Sequence, residues 1–169
     1  MINLFKIFMI AVFLFAGCQT DNKGKFAKQN KSDEGMPQIQ LVDLNNQAVR
    51  LNDYKGKTIF INFWATWCKP CVEEMSSIEK MQTLLNDKEI VFLLASSENI
   101  EDIKEFSRNH NYQFNYVHLE NGEALNIQAL PTTFIINPKG SIVFSEMGSR
   151  NWDETANLNL IKNITKQHD

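Results

Sequence analysis

Apolar residues follow three different spacings along the chain. Residues Ile7–Ala16 form an unbroken apolar run, and residues 19–36 are polar with mixed charge. From Pro37 onward the spacing becomes periodic. The segments "IQLVDL" and "AVRL" flank Asn45-Asn46, which predicts a short β-hairpin. Lys55-Gly56-Lys57 reads as a turn before "TIFINFW", a β-branched and aromatic run suited to a central strand buried on both faces. From Cys71 the apolar spacing switches to three or four residues through Met75, Ile78, Met81 or Gln82, and Leu85, as in an amphipathic helix. "EIVFLLAS" predicts another buried strand, and Ile100, Ile103 and Phe106 mark the inner face of a second helix. "QFNYVHL" reads as a weaker strand and "EALNIQAL" as a short helix. "TTFIINPKGSIVFSEMG" predicts a hairpin about Asn137-Pro138-Lys139-Gly140. Leu158, Ile161 and Ile164 predict a last helix that starts near Asp153 or Thr155. Strands alternating with helices, then a closing hairpin and helix, imply an α/β fold around a central sheet.

The N-terminal run changes the picture of where such a domain works. Its ten apolar residues fall short of the about 20 needed to span a bilayer. They suit the apolar core of an export signal over residues 1–17. The run ends in Ala16-Gly17-Cys18, which resembles a bacterial lipobox, and that resemblance implies lipidation of Cys18. Phe15 stands where the lipobox usually has Leu, and an ordinary signal peptide is the other reading. Residues 18–36 cannot bury enough apolar surface to offset their ordering entropy, so they are expected to form a flexible tether. Such a tether reaches about 25 Å. The domain proper is then 37–169, with the protein expected at the bacterial cell envelope, anchored to a membrane by lipid on its extracytoplasmic side. The formal net charge of −3, with basic residues scattered, excludes a nucleic-acid partner.

Candidate chemistry concentrates in "FWATWCKPC", residues 63–71. Cys68 and Cys71 are the only cysteines of the chain beyond Cys18. A structural zinc site needs about four ligands. The remaining candidates, His110, His118 and His168, lack the spacing for a second pair. A purely structural disulfide across so small a loop gains little, because loop-closure entropy grows with loop length. A redox dithiol fits better. Pro70 favours a helix starting there, so Cys68 would sit at a helix N-terminus whose N–H groups and dipole stabilise a thiolate. Lys69 adds a positive charge. Cys68 is then the exposed, attacking thiol and Cys71, one turn in and less exposed, the resolving one.

The stretch "VDLNNQAVRLNDYKGKTIFINFWATWCKPCVEEM" together with "ALPTTFIINPKGSIVF" resembles the TlpA/ResA-type branch of thioredoxin-like proteins. The resemblance runs from about Gln38 to the C-terminus. It implies a thioredoxin-like fold, a central mixed sheet flanked by helices with an N-terminal β-hairpin. It also implies an extracytoplasmic thiol–disulfide oxidoreductase that reduces protein disulfides, for example those of apocytochrome c, and is itself recharged by a membrane thiol reductant. No cofactor and no metal are implied. Pro131 takes the position of the family's cis-proline, which with Leu130 and Thr132 presents backbone to substrate. Glu74 matches an acid near the dithiol that can shuttle a proton; a solvated helix-surface glutamate beside Glu73 is the other reading. Asn62 stands where thioredoxins carry a buried aspartate, so it cannot accept a proton from Cys71. Ser76 replaces a proline that usually kinks the helix. Trp67 is expected to shield the dithiol and offer an apolar docking surface, whereas Trp64 suits the core equally well. The direction of electron flow stays open, since an oxidase or isomerase would use the same pair. So does a non-catalytic thioredoxin-fold binding module. A peroxidase of the peroxiredoxin type normally has a threonine where Ala65 stands.

Overall fold

The computed structural model describes residues 37–86 and 88–166. The expected signal peptide, the tether and Cys18 lie outside the described residues. Ten strands and α-helices follow in chain order: β1 (Leu41–Asp43), β2 (Ala48–Val49), β3 (Thr58–Phe63), α1 (Lys69–Leu85), β4 (Ile90–Ser96), α2 (Ile100–Asn109), β5 (Tyr116–Leu119), β6 (Thr132–Ile136), β7 (Ile142–Met147) and α3 (Thr155–Thr165). The strands form one mixed sheet in the order β2-β1-β5-β4-β3-β6-β7. β3, β4 and β5 pair in parallel, while β1, β6 and β7 run antiparallel to their neighbours. This is the thioredoxin-like α/β architecture expected from the sequence.

Burial explains the order. All six residues of β3 are buried, as a strand with neighbours on both edges and layers on both faces requires. The pleat sends alternate side chains to opposite faces. Phe60 joins a cluster with Met75, Ile78 and Met81 of α1, Ile103 and Phe106 of α2, and Ile161 and Ile164 of α3. Ile59, Ile61 and Phe63 join a second cluster with Leu93 and Val117, closed by Ile39 and Leu51. Asn62 shares the parity of Phe60, so a polar residue is delivered to the helix-covered face. Trp64 is buried there against Phe106 and Tyr116, which makes it core.

The N-terminal hairpin forms where Asp43 Oδ1 accepts from the N–H groups of Asn45 and Gln47, both at 2.8 Å. One detail departs from the sequence reading: "EALNIQAL" makes only a 3₁₀ turn, Gly122–Leu125, because Asn126 bends back in the left-handed region at φ 50°. The last helix opens at Thr155, as expected, without a side-chain cap, and Asp153 pairs with Lys80 at 3.4 Å. α1 runs unbroken through Ser76. Among the described residues no helix is long and apolar enough to cross a membrane.

Candidate active site

β3 ends at Phe63, and the next residues turn the chain into α1. Cys68 N–H donates to the Ala65 carbonyl at 3.1 Å, closing the turn, and Cys68 becomes the N-cap of α1. Pro70 sits in the first helical turn, where a missing N–H costs nothing. Cys68 and Cys71 are joined as a disulfide with their Cα atoms 5.3 Å apart. The Cys71 N–H donates to Cys68 Sγ at 3.3 Å, so the helix start is aimed at the first sulfur. Cys68 is not the exposed thiol expected: joined to Cys71 at the start of α1 it retains only 5% exposure, although the pair is still asymmetric, with Cys71 fully buried. Lys69 is paired with Glu73 at 3.6 Å, so its charge is partly offset.

β6 brings the second segment to the same end of the sheet. Thr132 pairs with Phe63, and the Leu130–Pro131 bond just before it is cis. The Pro131 carbonyl accepts from Gly148 N–H at 2.8 Å. Thr132 is buried, its hydroxyl donating to the Ala129 carbonyl at 2.7 Å. Leu130 is half-buried between the two clusters. Trp67 is 75% exposed, an unusual position for so large an apolar group and one that leaves its ring open to a partner.

Glu74 is not a surface residue: it is 5% exposed, one turn after Cys71 on the inner side of α1. Its Oε1 accepts from Asn62 Nδ2 at 2.7 Å. Its Oε2 accepts from the Arg150 backbone N–H at 2.9 Å and from Trp152 Nε1 at 3.3 Å. Burial pushes the Glu74 carboxyl above the usual carboxylate range; the bonds from Arg150, Asn62 and Trp152 oppose that shift. Asn62 and Glu74 are thus one unit. Asn62 Nδ2 also donates to Thr133 Oγ1 at 3.0 Å, while its buried Oδ1 has no partner. Residues 148–152 act as a strap over this unit, with Trp152 N–H donating to Ser77 Oγ at 3.0 Å. Nothing in the linear pattern connects that strap to Glu74.

Glu98, unlike Glu74, is a residue that the sequence reading passed over. Its Oε2 accepts from the Thr66 backbone N–H and its Oε1 from the Thr66 hydroxyl, both at 2.7 Å. Ser96 Oγ adds a bond at 3.1 Å, and the Glu98 carbonyl accepts from His118 Nδ1 at 2.7 Å. The turn that presents Cys68 is therefore clamped from the end of β4. A signal existed: an acid directly after a buried parallel strand lies at the end of the sheet where open α/β folds place ligands. A Glu98→Ala variant is expected to lose about 1–3 kcal/mol, the usual cost of orphaning charge-assisted bonds. Urea unfolding measures this as a lower midpoint at unchanged slope. Glu98→Gln should recover part of the loss, since its amide oxygen keeps one acceptor.

Known proteins resemble this chain in both sequence and fold. The family model described as AhpC/TSA matches residues 33–145. The thiol-disulfide oxidoreductase ResA of Bacillus thuringiensis subsp. konkukian is 31% identical over 147 residues, covering 83% of this chain and 84% of the relative. The chain belongs to the AhpC/TSA family. Its activity is that of a ResA-type thiol–disulfide oxidoreductase. The crystal structure of a thioredoxin-family thiol:disulfide interchange protein from Chlorobium tepidum superposes with TM-score 0.63 at 20% identity, over 78% of this chain and 95% of that one. The pneumococcal exposed lipoprotein thioredoxin Etrx1 of Streptococcus pneumoniae gives 0.61 at 26% identity, over 73% and 97%. Among the described residues of this oxidoreductase, no group of three or more His, Cys, Asp or Glu could hold a metal ion. His110 and His118 each bond a backbone carbonyl through Nδ1.

Proposed function

We propose that this oxidoreductase reduces protein disulfides outside the cytoplasm, held to a membrane through lipidated Cys18 and the 18–36 tether. The observation that carries the reading is the asymmetry of the dithiol. Cys68 caps a helix that aims an N–H at its sulfur, and Cys71 lies wholly buried behind it. In the reduced protein, the Cys68 thiolate attacks one sulfur of a substrate disulfide. A Cys68–substrate bond forms, the substrate S–S bond breaks, and the leaving thiolate takes a proton. Cys71 then attacks Cys68 Sγ, closes the internal disulfide and releases the second substrate thiol. Two electrons pass to the substrate. Glu74 takes the Cys71 proton, directly or through water. Pro131 and Leu130 present backbone to the substrate, Thr132 holds that loop through its Ala129 bond, and Trp67 offers an apolar face. A membrane thiol reductant recharges the pair, and an apocytochrome c is one substrate of the right kind. The similarity to an exposed lipoprotein thioredoxin supports the anchored placement.

An oxidase would use the same atoms in reverse, so the direction rests on the potential. Equilibration with thiol buffers of graded ratio is expected to give a reduction potential near the ~−270 mV of reducing thioredoxins. A value near the ~−120 mV of a strong oxidant would reverse the proposed direction.

A further inference from the structure

A groove of about 880 Å³ opens beside the dithiol. At one side stand Trp67, next to Cys68, and Leu130, next to cis-Pro131, so the groove is continuous with the place where a substrate disulfide must sit. Its walls include Leu119 and Ile127. Glu120 and Glu123 also line it, both exposed, and no lysine or arginine does. Among the described residues neither carboxylate has an ion-pair partner, whereas the nearest cation to the dithiol in sequence, Lys69, is paired with Glu73. The surface is apolar where it meets the dithiol and negative at its rim.

We propose that this groove receives the extended segment flanking the substrate's disulfide, and that it selects segments combining apolar residues with lysine or arginine. The inference rests on the reductase reading and names its substrate class. The apolar part of the segment covers Trp67 and Ile127, removing both from water. The cationic part meets Glu120 and Glu123 at the rim, where exposed pairs are individually weak and screened by salt. Selectivity should therefore be modest and dependent on ionic strength.

The test uses the reduced, full-length protein and two disulfide-bonded peptides that differ only in flanking Lys-Leu or Glu-Leu residues. Stopped-flow fluorescence follows their reduction at low ionic strength. The lysine peptide is expected to react about five-fold faster than the glutamate peptide, the combined effect of two exposed pairs. The ratio should approach one in the Glu120→Gln/Glu123→Gln variant and in high salt. Reduction of neutral 2-hydroxyethyl disulfide should be the same in both proteins. A ratio of one in the wild type, or a ratio that survives in the double variant, overturns the proposal. So does a rate per molecule that falls as protein concentration rises, the sign of a second copy covering the groove. Failure of the wild type to reduce 2-hydroxyethyl disulfide would instead remove the reductase reading beneath it.

Discussion

A Cys68→Ser variant is expected to reduce insulin no faster than dithiothreitol alone, while the wild type precipitates the insulin B chain well above that background. The hydroxyl of serine ionises far too weakly to replace the thiolate that the start of α1 is built to stabilise. The partner variant behaves differently. With Cys71→Ala, attack by Cys68 still occurs but nothing resolves it, so mixed disulfides accumulate. Isolated from cells, these adducts should sit in the membrane fraction, and an added Cys18→Ala change should move them out of it. The Cys68→Ser variant should trap nothing, because its remaining thiol, Cys71, offers no accessible surface to a protein substrate. Equal insulin reduction by wild type and Cys68→Ser would remove the proposed attacker.

Glu74→Gln is the second large effect. If Glu74 accepts the Cys71 proton, its loss should slow turnover by about 10²-fold, the low end for a positioned general base. Adduct formation by Cys68 in the Cys71→Ala background should be unchanged, since that step precedes the proton transfer. The variant can keep its fold. The introduced amide oxygen can accept from Arg150 N–H and Trp152 Nε1, and the introduced NH₂ can donate to Asn62 Oδ1 once the Asn62 side chain turns over. That Asn62 oxygen has no partner at present. Stability gives an independent reading. The Glu74 carboxyl titrates above its unfolded value, so the folded state holds the proton more tightly. Its contribution is greatest below the unfolded value and is lost as pH rises through the folded one. The wild type should therefore lose stability relative to Glu74→Gln as pH rises from the ordinary carboxylate range through the higher folded value, by about 1.4 kcal/mol for each unit separating the two. Parallel urea melts across that range measure it; curves that stay parallel would show that the bonds from Arg150, Asn62 and Trp152 cancel the effect of burial.

The asparagine at position 62 makes sense only beside that carboxyl. An aspartate in its place would set a second carboxylate against Glu74 at the 2.7 Å contact, and one of the two would have to keep its proton. An amide bonds to either state of Glu74 by turning over. Taken alone, Asn62 reads as the loss of a proton acceptor. Paired with Glu74, it is the group that donates to the carboxyl proposed as that acceptor.

Periodicity and motif chemistry by themselves determined the order of the strands and the three α-helices, apart from the 3₁₀ turn at Gly122–Leu125, and the helix start at the dithiol; the roles proposed for Cys68 and Cys71 rest on the same local pattern. Such features are local: apolar spacing, proline at a first turn and two cysteines one turn apart are legible within a few residues. Trp64 and Trp67 mark the boundary of that legibility. Both are aromatic and three residues apart, yet one is core and the other is 75% exposed. The turn at 65–68, clamped by Glu98 from the end of β4, decides between them. Burial of Glu74 likewise required the strap at 150–152, because the Arg150 N–H and Trp152 Nε1 that make a buried carboxyl tolerable come from 76 and 78 residues away. The groove combines the cysteine turn, the end of β5 and the loop before cis-Pro131. Its shape and charge exist only once the sheet has set those three segments side by side.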